Sequence, residues 1–144
     1  MEDFTMKMFA RALSLALVAL MLCTALVACA PAKDPADAEA ALKEAEYVVL
    51  NDDKITPAVF KLAGYDLKNV VTGTKVSEDK DGNKVTDIVV IYYFADKDNA
   101  EKALEKVKEN AKEKKEETKE DWVEPTRSGS MVYFGTKAAI KAAK

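Results

Sequence analysis

From Asp34 onward the spacing of apolar residues changes several times, and each change marks an element. Asp34-Pro35 offers a side-chain cap followed by proline at the first helical position. Ala38, Ala41, Leu42 and Ala45 then fall at i, i+3, i+4, i+7, which predicts an amphipathic helix whose alanine stripe packs closely and buries little area. Tyr47-Val48-Val49-Leu50 is a short apolar run stopped by Asn51-Asp52-Asp53, and it reads as a buried strand. Thr56-Pro57 repeats the cap-and-proline signal. Val59, Phe60 and Ala63 would form the inner face of a short helix that Gly64 ends.

Residues 69–76 are rich in β-branched side chains and predict a second strand. Asp81-Gly82 is the favoured dipeptide of a tight hairpin. Residues 85–94 form the strongest strand signal, with Ile88, Val90, Tyr92 and Phe94 alternating with Val89, Ile91 and Tyr93. Asp96 or Asp98 caps the next helix, which carries Ala100, Ala103, Leu104, Val107 and Ala111 on one face. Residues 112–120 contain no apolar side chain and can continue that helix only as a solvated extension held by i, i+4 ion pairs. Residues 121–130 contain Pro125 and Gly129 and read as a loop. A last strand over 131–134, a turn and cap at Gly135-Thr136 and a short helix over 137–143 complete the chain.

Without its flanking helices the order is β-α-β-β-α-β, the split arrangement of ferredoxin-like folds. The expected class is therefore α+β. Residues 34–144 would form a single domain with an antiparallel four-stranded sheet, both crossover helices on one face, and an N-terminal and a short C-terminal helix elsewhere. In that arrangement the third strand is central, which suits the apolarity of residues 85–94. A shared fold carries no function with it.

The first part of the chain has another character. Residues 12–28, ALSLALVALMLCTALVA, are uncharged and apolar and follow Lys7 and Arg11, the layout of a secretory signal. An uncleaved membrane helix is the alternative, since the run nearly reaches spanning length. Leu26-Val27-Ala28-Cys29 resembles the lipobox of bacterial lipoproteins, in which an aliphatic residue and two smaller ones precede a cysteine. That resemblance implies removal of residues 1–28, a diacylglyceryl thioether on Cys29, a lipid-attached tether over 29–33, and a location on the outer side of a bacterial membrane. Two acyl chains at roughly 0.8 kcal/mol per buried CH₂ make a stable anchor. Leu22 before Cys23 is too bulky for the same processing. Glu2 and Asp3 sit oddly in a basic leader, so translation from Met6 or Met8 is an alternative to Met1.

Composition narrows the chemistry. The whole chain carries 22 basic and 25 acidic residues, and loss of residues 1–28 removes two of each sign, leaving the net charge at −3. No basic field exists to hold a phosphate backbone, so nucleic acid is not an expected partner. There is no histidine, which removes the usual base for a serine or cysteine nucleophile. Ser77, Ser128 and Ser130 all fall in predicted loops, and the carboxylates fall at helix starts, turns and exposed faces. No catalytic residue, metal site or cofactor is expected. Asp79 to Asn83 resembles the opening of a calcium loop, but alignment on Gly82 puts Ser77 first and Ile88 twelfth, where the outer ligands belong. A hairpin turn explains it better.

The candidate binding residues are aromatic. If the terminal helices leave the second face of strand 85–94 open, Tyr93 with Tyr133 or Phe134 forms a dimer or binding face. If they cover it, those rings are core. Trp122 is either a recognition anchor on a loop or a lid over one end of the core. The functional expectation is a non-enzymatic binding or accessory module in a cell envelope, attached to membrane lipid through Cys29 and meeting an envelope protein or a second copy. The alternative is a carrier holding a small ligand in an apolar pocket between the sheet and a terminal helix.

Overall fold

Local capping sets the element boundaries. In the computed structural model, which describes residues 30–118 and 121–144, helix α1 (Pro35–Glu44) begins where the Asp34 carboxylate accepts the Ala36 N–H at 2.8 Å. It ends in a Schellman motif: the Tyr47 N–H donates to the Leu42 carbonyl and the Glu46 N–H to that of Lys43. Glu46 takes the left-handed position with φ +66°, which glycine usually occupies. Lys75 steadies this turn, donating to the Ala45 carbonyl at 3.0 Å over the Tyr47 ring. Strand β1 (Val48–Asp52) follows, then α2 (Ile55–Leu62), β2 (Leu67–Glu78), β3 (Lys84–Phe94), α3 (Lys97–Glu117), β4 (Trp122–Ser128), β5 (Met131–Thr136) and α4 (Lys137–Ala142). Residues 1–29, which hold the expected leader and Cys29, lie outside the described residues. Among those residues no helix is long and apolar enough to cross a membrane.

The chain is α+β, and its sheet has five antiparallel-paired strands in the order β1-β2-β3-β5-β4. The four-strand ferredoxin-like order does not describe it. That order would set the first strand beside the third. Among the described residues β1 pairs only with β2 and ends the sheet, and only the second half keeps a split crossover, with β5 inserted between β3 and β4. The additional strand is β4, in residues that read as a loop. It tolerates Pro125 because the pairing with β5 is broken between Val123 and Thr126, and proline is accepted at bulges and edges. Strand β3 is central, as its two apolar faces require.

Alternation along β3 divides the core. Ile88, Val90, Tyr92 and Phe94 face α2 and α3, joining Phe60, Ala100, Ala103, Val107, Val132 and Phe134. Phe60 lies 5.5 Å from Tyr92, and Phe134 lies 6.2 Å from Tyr92 and 5.7 Å from Trp122, a run of tilted aromatic contacts. The opposite face, with Val71, Val89, Ile91 and Tyr93, is covered by α1 and α4, whose Ala38, Leu42, Ala139 and Ile140 are buried. Gly73 admits this contact: a Cβ there would meet Leu42 Cδ1 at 2.9 Å.

Several local expectations are corrected by competing bonds. Helix α2 starts at Ile55, before Thr56-Pro57, because Asp52 caps it from outside: its carboxylate accepts from the N–H groups of Lys54, Ile55 and Thr56 and from the Thr56 hydroxyl. The inner face is Pro57 and Phe60, while Val59 and Ala63 are exposed. Gly135 belongs to β5 and no turn forms there. Thr136 makes no side-chain cap, and its buried hydroxyl instead takes the Ile88 N–H at 3.3 Å. Asp96, and not Asp98, caps α3 through the Asn99 N–H at 2.8 Å. The 79–83 segment is the hairpin turn, with the Asp79 N–H donating to the Asn83 carbonyl and the Asp79 carboxylate accepting from Asp81 and Asn83.

Candidate functional site: an apolar edge and helix face

The aromatic residues singled out from the sequence do not share a surface. Tyr93 and Tyr133 are 5% and 4% exposed on the face covered by α1 and α4. The Tyr93 hydroxyl donates to the Ala32 carbonyl at 2.8 Å, and burial with Asp34 and Asp37 nearby pushes its pKa above the usual phenol value. Phe134 faces the other way with Trp122, which is half-buried on β4 and closes the α3 side of the core. The Trp122 indole N–H has no protein acceptor.

The exposed apolar surface lies elsewhere. Val48 and Leu50 on β1 are 78% and 68% exposed although their strand is apolar in sequence. The expectation of a buried strand fails here because β1 is an edge with no helix seated over these two side chains. Their register partners are Thr74 and Thr72, so both project on the α2–α3 side of the sheet. Val76 extends this surface along β2. On α2, Ile55, Val59 and Leu62 recur at i, i+4, i+7 on the side opposite Phe60, and Leu62 is 91% exposed. A helix apolar on two sides while packed on one was a signal present in the sequence.

Beside this surface, a cleft of about 400 Å³ runs between the sheet and α3. Leu50, Val70, Val90, Tyr92 and Phe134 give it an apolar lining, and its polar members include Thr56 of α2, Thr72 and Asn110. Burial raises the Tyr92 phenol pKa, partly opposed by a bond with Asn110.

Comparison with protein-family models, curated proteins and solved structures finds no match. The site is therefore read from its own chemistry. Among the described residues no group of three or more histidines, cysteines and carboxylates converges to hold a metal. The strongly shifted carboxylate, Asp52, is held well below the usual range by the Thr56 hydroxyl and the N–H groups of Lys54 and Thr56, a capping environment. Among the described residues the surface offers an open strand edge, exposed aliphatic side chains and a polar-rimmed cleft, which suit adhesion of a partner.

Proposed function

We propose that the chain is a small membrane-anchored lipoprotein, acting as a non-enzymatic binding or accessory module on the outer side of a bacterial membrane. The observation that carries the binding half is the edge strand β1, whose outer backbone edge has no strand partner among the described residues and which exposes Val48 and Leu50. Such an edge recognises an extended segment of another protein by strand addition, with the backbone supplying hydrogen bonds and the alternate side chains supplying selectivity. The anchoring half rests on the Leu26-Val27-Ala28-Cys29 resemblance.

Crosslinking in the native membrane tests both. With a photoreactive residue at Leu50, a single reproducible envelope protein is expected, while the same group at the exposed Lys108 on α3 captures none. Equal patterns at the two positions would remove β1 as the binding edge. Mass spectrometry of the mature N-terminal peptide should find Cys29 first in the chain and bearing a diacylglyceryl group; an unmodified Cys29 preceded by its leader would overturn the anchor.

The cleft beneath α3 favours a second reading, a carrier for a small, mostly apolar ligand. This would use the cleft by Leu50 and Tyr92 in place of a pocket under a terminal helix. Native mass spectrometry showing a co-purified small molecule, lost in Val90→Trp, would favour it over the accessory module.

A further inference from the structure

The exposed stripe on α2 lies at the end of the sheet from which the chain leads back toward Cys29. Ala32 is fixed there by two bonds: its carbonyl accepts from the Tyr93 hydroxyl, and its N–H donates to the Ala143 carbonyl, both at 2.8 Å. Tyr93 is next to the end of β3, opposite Met131 at the start of β5. Helix α2 occupies the same end on the opposite face of the sheet, the one that carries Tyr92 and Phe94. It follows Asp52, the residue of β1 opposite Val70, and its Phe60 ring lies 5.5 and 6.2 Å from those of Tyr92 and Phe94. Just beyond α2, the Asp66 carbonyl accepts from the Ala95 N–H. Between Cys29 and Ala32 an extended backbone spans at most about 11 Å.

We propose that Ile55, Val59 and Leu62 rest in the headgroup–acyl boundary of a lipid bilayer, as a second membrane contact beside the anchor. The proposal rests on the reading of Cys29 as lipidated, since that modification holds this end of the domain at the membrane. A second copy is a poorer occupant. A stable protein interface buries about 800 Å² per partner, more than three side chains on so short a helix supply. An interfacial helix needs no such area, because a neighbouring lipid chain has already removed most of the cost of association. The adjoining charges balance, with Lys54 and Lys61 against Asp52 and Asp53. Apolar burial, and not attraction to anionic headgroups, then drives the contact, and raised salt leaves it unchanged.

The test uses the full chain, matured in membranes and reconstituted into vesicles of phosphatidylcholine and phosphatidylglycerol. A polarity-sensitive fluorophore is attached at Leu62→Cys or, at the opposite end of the sheet, at Lys84→Cys. The mass of the N-terminal peptide reports the state of Cys29 in the same sample, and a preparation lacking the lipid is re-examined as Cys29→Ser. The expected result is a blue shift at position 62, quenched by brominated acyl chains and insensitive to salt, with an aqueous signal at 84. An aqueous signal at 62 on lipid-bearing protein overturns the α2 contact and leaves the anchor standing. An unmodified Cys29 with an aqueous 62 removes both readings. An unmodified Cys29 with a shifted 62 keeps the α2 contact and removes the anchor. A shift that appears without vesicles and grows with protein concentration assigns the stripe to a second copy and overturns the proposal.

Discussion

The two edges of the sheet are built to opposite specifications. At β4, Pro125 withholds a donor, the bulge between Val123 and Thr126 breaks the ladder, and Glu124 is tied to Lys115 of α3 at 2.6 Å. These are the devices by which proteins keep a strand edge from pairing with another chain. At β1 the first two are missing: the strand has no proline and its register with β2 is unbroken, and although Asn51 donates to Glu39 of α1 at 2.8 Å, the strand turns Val48 and Leu50 outward. One edge is guarded and the other is left able to pair. An unguarded edge of this kind is open to pairing with another strand.

The contrast can be broken most severely from the guarded side. Gly135 bridges β3 and β4, its φ is +144°, and a Cβ there would strike the Ile88 carbonyl oxygen and lie 2.8 Å from Val89 Cα. Gly135→Ala should therefore cost more than about 3 kcal/mol, because backbone atoms cannot yield as a side chain would. Urea unfolding, or failure to recover folded protein, would reveal it.

The unguarded edge depends on the caps at its two ends, and effects there are smaller. Asp52→Ala removes four accepted hydrogen bonds at the start of α2 and should lower the melting temperature. Since the folded carboxyl is held below its ordinary value of about 3.9, its contribution is present above pH 4 and disappears as the pH falls toward the folded pKa. Melting curves from pH 5 downward should therefore converge for the parent and the variant. At the other end, Glu46→Gly relieves a left-handed residue and should raise stability by about 0.5–1 kcal/mol, in contrast with Gly64, where the matching turn after α2 already has glycine. The smallest effect on folding sharpens the comparison most. Leu50→Lys should leave stability within about 0.5 kcal/mol while abolishing capture of a partner by a photoreactive group at position 48.

These edges also mark where sequence reasoning succeeded and where it stopped. Asp34 could be read as a cap, and Asp96 as one of two candidates with Asp98, because the bond is made within three residues of the cap itself. The centrality of β3 was legible because both of its faces are apolar. Apolarity alone could not separate β1, at an edge, from a buried strand, since the difference lies in which helix passes overhead. Pro125 and Gly129 looked like loop punctuation, yet at an edge they are compatible with a strand. The same limit hid the candidate site. Tyr93 and Tyr133 stood out by residue type, but the covering of their face by α1 and α4 is a long-range fact. The stripe at Ile55, Val59 and Leu62 was legible as periodicity and was obscured by assigning Val59 inward.

The clasp at Ala32 has a consequence for the order in which the molecule is completed. Ala32 emerges early during synthesis, whereas Tyr93 and Ala143, which hold it, emerge much later. A chain extended from its N terminus thus has the Tyr93 bond to Ala32 available first and the Ala143 bond only once α4 docks. Truncation just before Ala143 would leave a sheet with every strand in place and an entry segment whose hydrogen bond to Tyr93 remains while that to Ala143 is lost.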